Sequence, residues 1–326
     1  MPRENPYRPF IPNPAQMALA PDISGNEING LGEGERRPPS VVYWATNPDD
    51  IPHGRMQKWF YTVDPGSPEF GVERAKRAAI YAEPLPAVAP IPMQRSPEGW
   101  TAELQQFVDG GLCEKVGVAE MNAAWLFEGG TVSETRVIIA GVQHDYDRIA
   151  TAPLPEAGAE VMVQYTRATR VAKEIAAWLH REGWAARPVT GPMATTLTMI
   201  PAAIEAGFGE LGKHGSIINP EFGASFRLSA VLTDAPFAPT PRKEHGIDAF
   251  CAACRICEDA CPPYAILPEK QRVRGDEKWY VDFDKCLPFF NEHQGCGICI
   301  AVCPWSRPGV GMNLAAKLAR KAGREG

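Results

Sequence analysis

The sequence has no uninterrupted apolar stretch long enough to span a lipid bilayer. Its first residues also lack the basic and then apolar pattern of a secretory signal peptide. The paired arginines Arg36 and Arg37 are followed by Pro38, Pro39 and Ser40 rather than by an apolar run, so they do not indicate twin-arginine export. We therefore expect a soluble, cytoplasmic protein.

The chain also lacks an excess of basic residues. Its 33 lysines and arginines stand against 39 aspartates and glutamates, which gives a formal net charge of −6. Because nucleic-acid-binding proteins usually carry a basic excess, we expect no nucleic-acid partner. With 44% hydrophobic and 22% charged residues, the 326-residue chain has a globular composition. Its length accommodates one large domain or about two to three smaller ones.

Cysteine is scarce over most of the chain. Cys113 stands alone, whereas the other eight of the nine cysteines fall between Cys251 and Cys303. In a reducing cytoplasm, clustered cysteines are metal ligands more often than disulfide partners. Cys113 is expected to be a buried thiol.

The clustered cysteines form two groups that both end in Cys-x2-Cys-x3-Cys-Pro. The first group matches the bacterial ferredoxin pattern for a [4Fe–4S] cluster and consists of Cys251, Cys254, Cys257 and Cys261. The second group spaces its first cysteine further away and consists of Cys286, Cys296, Cys299 and Cys303.

This spacing predicts which cysteines share a cluster. Three thiolates on one tight loop can hold three irons of a cubane, and the fourth iron then takes its ligand from the other group. One expected set is Cys251, Cys254, Cys257 and Cys303. The other is Cys261, Cys286, Cys296 and Cys299. The alternative is zinc, which needs four tetrahedral ligands, usually as two close pairs, and this pattern fits it poorly. We therefore predict two [4Fe–4S] clusters.

Hydrophobic periodicity predicts the secondary structure upstream of the cysteines. Helices are expected at about 71–82, 100–110, 166–182 and 194–206, and strands at about 137–142 and 225–233. In the last strand, Phe226 and Leu228 belong to the core face and Arg227 to the opposite face. A linker with three prolines follows at 234–241.

A glycine-rich segment lies between the last predicted helix and the last predicted strand. The spacing Gly207-x-Gly209-x2-Gly212 fits the dinucleotide-binding pattern, but it follows a helix instead of opening one after a strand. We therefore expect a loop whose backbone approaches a large flat ligand closely.

Several motifs, in order along the chain, are similar to those of the corrinoid-dependent reductive dehalogenases. They are the stretches 206–223 and 226–234, Gly275-Asp-Glu-Lys-Trp279, Cys286-Leu-Pro-Phe-Phe and Cys296-Gly-Ile-Cys-Ile-Ala-Val-Cys-Pro-Trp305. The resemblance runs from about 134 to 306. Epoxyqueuosine reductase shares the plan of a corrinoid with two clusters, but it places a catalytic Asp in a Val-Asp-x-x-Pro context. The corresponding stretch here is Val189-Thr190-Gly191-Pro192.

The resemblance implies a base-off cobalamin in a nitroreductase-like core. The glycine-rich segment would supply the corrinoid contacts, namely Gly209, Gly212, Lys213, His214, Gly215, Glu221 and Gly223. Electrons would enter at the cluster of Cys251 and pass through the cluster of Cys261 to cobalt. The donor would be a separate soluble ferredoxin, flavodoxin or reductase.

The resemblance also implies two catalytic residues, Tyr165 and Arg227. Replacing the halogen of an organohalide by hydrogen needs a proton donor, and a nearby cation eases donation from a phenol because it stabilises the phenolate. The alternative for Tyr165 is a ring that packs at a helix start, and for Arg227 an ion pair on a strand. Tyr146 is a further candidate for the pocket wall.

The expected fold class is α/β (α+β), a nitroreductase-like core followed by a ferredoxin-like module with two clusters. The expected division is an arm and pocket-covering region at 1–133, a corrinoid-binding core at 134–240, the cluster module at 241–308 and a basic helix at 309–326. That helix carries Lys317, Arg320, Lys321 and Arg324. Two other functions remain open: a corrinoid reductase of another substrate, and a two-cluster electron carrier.

Overall fold

A four-stranded antiparallel sheet lies upstream of the cysteines in the computed structural model, which describes residues 5–193 and 196–325. The strands are β1 (Lys115–Glu120), β2 (Arg136–Gln143), β3 (Ala186–Val189), β4 (Glu210–Leu211), β5 (Ile217–Ile218), β6 (Phe226–Thr233), β7 (Gln271–Val273) and β8 (Asp276–Lys278). The sheet has the order β1-β2-β6-β3, and the short strands pair as β4-β5 and β7-β8.

Helices cover both faces of the sheet and build most of the cysteine module. They are α1 (Pro14–Met17), α2 (Gly25–Ile28), α3 (Gly54–Phe60), α4 (Pro68–Ala82), α5 (Pro97–Glu103), α6 (Gln105–Asp109), α7 (Tyr146–Ile149), α8 (Pro155–Arg181), α9 (Met199–Glu205), α10 (Ile247–Ala253), α11 (Ile256–Ala260), α12 (Phe283–Glu292), α13 (Ile298–Ala301) and α14 (Val310–Glu325). The fold is therefore mixed α and β, as expected.

Alternation along β2 and β6 directs the core to both faces of the sheet. On one face, Ile138 and Val231 pack against α8 through residues such as Ile175. On the other face, Ile139 and Ala230 belong to a core that includes α9 and Phe208. A sheet buried on both faces holds the side chains at the ends of its strands in fixed positions. His144, directly after β2, and Arg227, near the start of β6, are two of these side chains.

The predicted strands and three of the predicted helices are confirmed, with different bounds. The helix expected at 166–182 begins eleven residues earlier, at Pro155, because proline fits the first helical turn. It ends before Gly183, whose backbone is left-handed at φ +82°. The helix expected at 100–110 is divided at Leu104 into α5 and α6.

One helix and the sheet differ from their expected bounds. The helix expected at 194–206 is α9, which begins at Met199, and residues 194–195 lie outside the described residues. Residue 134 is the expected start of the corrinoid-binding core. Strand β1 lies before it and nevertheless pairs with β2, so the sheet contains residues from both sides of that boundary.

The N-terminal segment lies across the cysteine module. The side-chain amide of Asn5 donates to the carbonyl of Ala260, and Arg8 Nη2 donates to the carbonyl of Cys261 at 2.6 Å. Further along, Asn26 Nδ2 donates to Asp282 at 2.9 Å. These contacts hold the segment against the loops that carry the cysteines.

Helix α14 packs through Leu314 and Leu318 on a core that contains Cys251 and Trp305. Its basic residues Lys317, Arg320 and Lys321 are exposed, and the side chain of Arg324 lies outside the described residues. Within residues 5–193 and 196–325, every helix is too short or too polar to cross a membrane.

Candidate active site and metal centres

The first set of cysteines converges from α10, α11 and the turn after α13. Burial raises the pKa of the Cys257 thiol to about 12, and the nearby thiols of Cys303, Cys251 and Cys254 raise it further. Burial likewise raises the pKa of Cys303 to about 12, and Cys251 and Cys254 contribute again. The four thiols that the spacing assigns to one cluster thus lie within electrostatic reach of one another.

The second set converges from α12 and α13. Burial raises the pKa of Cys286 to about 12, with further increases from Cys296 and Cys261. Burial also raises the pKa of Cys299 well above its usual value, and Cys296, Cys286, Cys257 and Cys261 contribute to the rise in that order. Cys261 therefore lies with the second set, although in sequence it is the last cysteine of the first group.

These thiols are suited to clusters rather than to single ions or disulfides. All nine cysteines lie within the described residues and are free. A buried thiol gives up its proton readily only when a metal takes the proton's place. Among the described residues, no group of three or more His, Cys, Asp or Glu is arranged to hold one metal ion. Cys113 is buried, and burial raises its pKa to about 12.

A cavity of about 430 Å³ is lined by Cys261, Cys286, Cys296 and Cys299. His214 and Gly215 from the glycine-rich segment also line it. The Nδ1 atom of His214 accepts from the Ser216 N–H at 3.2 Å, while its buried Nε2 has no partner. Burial lowers the pKa of His214 to about 4, so the ring is neutral at neutral pH and its Nε2 carries the proton, because Nδ1 accepts a hydrogen bond.

The glycines of this segment make close contacts with the chain itself. A Cβ on Gly209, at φ +148°, would collide with the Ile218 carbonyl oxygen. A Cβ on Gly223, at φ +63°, would collide with the backbone of Ser306. Their assignment as corrinoid contacts stays a prediction, because the described residues already explain why glycine is required there.

The three remaining candidates of the segment lie in different surroundings. Gly212 packs against the side chain of Ile218. Lys213 is 2% exposed, with its Nζ 3.6 Å from Glu258 Oε2. Glu221 is exposed, and its nearest cation is Lys115 at 3.9 Å. Lys213 therefore lies beside the first set of thiols.

Tyr165 and Arg227 meet in a second cavity, of about 440 Å³. Tyr165 lies in the middle of α8, and Arg227 lies near the start of β6 on the face that packs against α8. Arg227 Nη1 donates to the Tyr165 hydroxyl oxygen at 3.2 Å, and its guanidinium carbon lies 4.3 Å from the centre of the phenol ring. The structure thus brings together the two residues that the resemblance implied.

His144 and Arg77 also line this cavity, and the sequence analysis missed both. His144 is buried at the end of β2, and Ser225 Oγ lies 3.4 Å from its Nδ1. Burial, and then the Arg227 charge, lower its pKa well below the usual value. A histidine that directly follows a predicted strand was the available signal for His144; the sequence offers none for Arg77. Tyr146 is not among the described residues that line the cavity.

The two cavities share one wall. Phe290, Gly295, Gly297 and Ile300 line both of them. These residues flank Cys296 and Cys299 in sequence. The space beside Tyr165 is therefore separated from the second set of thiols by one layer of the cysteine module.

Comparisons with known proteins assign both parts of this arrangement. Residues 250–306 match the family of the 4Fe–4S dicluster domain. A tetrachloroethene reductive dehalogenase of Desulfitobacterium hafniense is 32% identical over 218 residues, which cover 63% of this chain and 39% of that protein.

Over the region that they share, this chain is similar to the reductive dehalogenases. It spans about two fifths of the length of that relative. A solved reductive dehalogenase, whose structure suggests a mechanism for B12-dependent dehalogenation, has the same fold with a TM-score of 0.66. That likeness has 22% identity and covers 76% of this chain and 38% of that one.

Epoxyqueuosine reductases match a shorter part of this chain. The enzyme of Synechococcus sp. is 32% identical over 131 residues, or 35% of this chain and 37% of that protein. The stretch that lacks the expected Asp includes Thr190, which is buried, and Gly191, which packs against Arg77.

Proposed function

We propose that this chain is a reductive dehalogenase that replaces the halogen of an organohalide by hydrogen. The observation that carries the proposal is the contact of Arg227 with the Tyr165 hydroxyl, in a cavity that shares a wall with the second set of thiols. The overall reaction breaks a carbon–halogen bond and forms a carbon–hydrogen bond. It consumes two electrons and one proton and releases a halide ion.

Two [4Fe–4S] clusters would be held by the eight clustered cysteines. The neighbours of each thiol support one cluster on Cys251, Cys254, Cys257 and Cys303 and one on Cys261, Cys286, Cys296 and Cys299. We propose that electrons from a separate soluble donor enter at the first cluster and leave from the second, because only the second set lines a cavity that adjoins the one with Tyr165.

A cobalamin would be held where these cavities adjoin, in a core that we propose to be nitroreductase-like. Three buried nitrogens of the second cavity have no hydrogen-bond partner among the described residues: Arg227 Nε, His144 Nε2 and Arg77 Nε. The rim of a corrinoid carries amide oxygens that such donors can bind, and His214 Nε2 offers a further donor beside the second thiols. When bound base-off, the cofactor would supply a reduced cobalt for cleavage of the carbon–halogen bond.

Tyr165 would hold the proton that the product receives. Tyr165 lines the cavity, and the guanidinium of Arg227, which donates to its hydroxyl, would stabilise the phenolate that remains after proton donation. His144 is kept neutral by burial and by the same guanidinium, so it adds no second charge beside Arg227. The aromatic side chains of the wall lower the local dielectric constant, which strengthens the interaction between the cation and the phenolate.

The test is metal content and halide release after anaerobic reconstitution with cobalamin and desalting. We expect about one cobalt and about eight irons per chain, as two cubanes require, together with halide release under a strong reductant. Eight irons without cobalt would contradict the proposal and favour an electron carrier. Cobalt and iron without halide release from any organohalide would favour a corrinoid reductase of another substrate.

A further inference from the structure

The N-terminal segment places one cation against the loop that carries Cys261. Arg8 Nη2 donates to the carbonyl oxygen of Cys261 at 2.6 Å and lies 3.4 Å from the carbonyl oxygen of Glu258. The guanidinium carbon of Arg8 lies 3.7 Å from the centre of the Tyr264 ring. Both carbonyls and the ring belong to the stretch 258–264, which leads from the first set of thiols to the second. These three contacts fix the cation beside the cluster loop.

Arg8 has no carboxylate partner within residues 5–193 and 196–325. The acceptors of its Nη2 are neutral carbonyl oxygens, and its buried Nε has no hydrogen-bond partner among these residues. Arg255, at the other end of α11, is exposed and pairs with Glu258 at 2.7 Å. A partly buried cation without an anion is costly to the fold. The position of Arg8 therefore suits a negative charge that the described carboxylates do not supply.

The second set of thiols provides that charge when it holds a cluster. Cys261 belongs to this set, and its Sγ accepts from the Ala265 N–H at 3.3 Å. Burial raises the pKa of the Cys261 thiol, whereas backbone N–H groups and then the charge of Arg8 lower it. The cation therefore acts on the sulfur as well as on the carbonyl. Reduction adds one electron to a cluster that its thiolates already make anionic, so a fixed cation nearby favours the reduced state.

We propose that Arg8 sets the reduction potential of the second cluster and holds it above the value that the cluster would have without this cation. The inference rests on the proposed function, because it concerns the cluster that would pass electrons toward the cofactor. A higher potential at the second cluster draws electrons away from the first cluster, where they enter. The N-terminal segment thus takes part in the direction of electron flow as well as in packing.

The competing explanation is that Arg8 only closes the end of α11. Basic side chains near a helix C-terminus bind its last carbonyls, and Asn5 makes a similar contact without charge, by donating to the Ala260 carbonyl at 2.9 Å. The two explanations predict opposite shifts in the potential. Loss of the charge lowers it, whereas water admitted by a loosened segment stabilises the more negative cluster and raises it.

The experiment is a redox titration of the reconstituted protein, followed by electron paramagnetic resonance. The signal that Cys299→Ser alters identifies the second cluster. Arg8→Met should lower the midpoint potential of that cluster, with a roughly tenfold fall in the equilibrium constant for its reduction, or ~59 mV for one electron. Arg8→Lys keeps the charge and should retain most of the potential. Arg8→Gln keeps a hydrogen-bond donor without the charge, so it should lower the potential as Arg8→Met does, and it replaces that variant if Arg8→Met loses iron.

Asn5→Ala is the matched control, because it removes the neighbouring contact with α11 and leaves every charge in place; it should leave both potentials unchanged. Iron content and thermal midpoint show that each variant is folded. An unchanged or raised potential in Arg8→Met, or an equal fall in Arg8→Lys, would overturn the inference and leave the proposed clusters standing. Fewer than about eight irons in the unaltered protein would instead reject the proposed clusters, and the inference with them.

Discussion

Arg227 Nη1 lies 3.2 Å from the hydroxyl oxygen of Tyr165, with its guanidinium carbon 4.3 Å from the centre of the same ring. One cation thus contacts both the hydroxyl and the face of one phenol. The two residues come from different elements, α8 and β6, and each is fixed by a buried core. The pair is therefore preorganised, which is what a group that must transfer a proton in one geometry requires.

Removing the hydroxyl should abolish most of the activity without disturbing the cofactors. Tyr165→Phe keeps the ring over which Arg227 lies but removes the proton, so halide release should fall by roughly 10²- to 10⁴-fold. Tyr146→Phe is the control, since Tyr146 is not among the described residues that line the cavity. Full activity of Tyr165→Phe, with normal cobalt and iron content, would remove Tyr165 as the donor.

The assignment of Cys261 to the second cluster is testable by spectroscopy. Its thiol lies within electrostatic reach of Cys286 and Cys296 and lines the same cavity. Cys261→Ser and Cys299→Ser should therefore perturb the same electron paramagnetic resonance signal, while Cys257→Ser perturbs the other. Cys113→Ser should keep about eight irons. A shared signal change for Cys257→Ser and Cys261→Ser would show that the sequence groups, and not the crossed sets, hold the clusters.

Two lysines that contact the same tryptophan ring allow a controlled test of what sets the reduction potential of the first cluster. One of them is buried beside Cys251, and the other is partly exposed. Lys213 and Lys270 lie 5.1 and 5.5 Å from the ring centre of Trp279. Lys270 is partly exposed and bonded to Asp248 at 2.7 Å. Lys213 is buried, and it opposes the rise that burial causes in the pKa of the Cys251 thiol. Its 3.6 Å separation from Glu258 exceeds the ~2.9 Å of a charged hydrogen bond.

A buried cation favours the reduced, more negative cluster. Lys213→Met should therefore lower the midpoint potential of the cluster on Cys251, as measured by a redox titration. Lys213→Arg should preserve the potential, and Lys270→Met should change it much less. Equal potentials for Lys213→Met and the unaltered protein would show that the lysine serves packing alone.

Acid should destabilise the protein partly through His144. Burial and Arg227 lower its pKa in the folded state below the ~6.5 of an unfolded chain. Below that pH the unfolded chain takes up a proton that the folded chain does not, so this contribution is complete above pH ~6.5 and is lost as the pH falls.

His144→Gln should therefore flatten the decline of the thermal midpoint between pH 7 and 5. His180→Gln is the comparison, because both ring nitrogens of His180 lie beside carbonyl oxygens; it should leave the decline in place. An unchanged decline in His144→Gln would assign the acid sensitivity to other groups, such as His214 with its pKa of about 4.

The sequence by itself determined the features that depend on local spacing. The Cys-x2-Cys-x3-Cys-Pro repeat predicted the dicluster domain, since the ligands of each loop are close along the chain. Periodicity predicted β2, β6 and α4, because burial of a strand face or a helix stripe leaves a regular pattern. The start of α8 was missed, since its first turns after Pro155 bury alanines and polar residues rather than a clear apolar stripe.

The tertiary structure alone decided which distant residues meet. It placed Arg77 of α4 beside Tyr165 of α8 and His144 beside Arg227, and within the part of the chain that the structure describes neither arginine pairs with a carboxylate. It also showed that Gly209 and Gly223 make room for the chain's own backbone. Such contacts arise from the packing of elements far apart in sequence, and no spacing along one element encodes them.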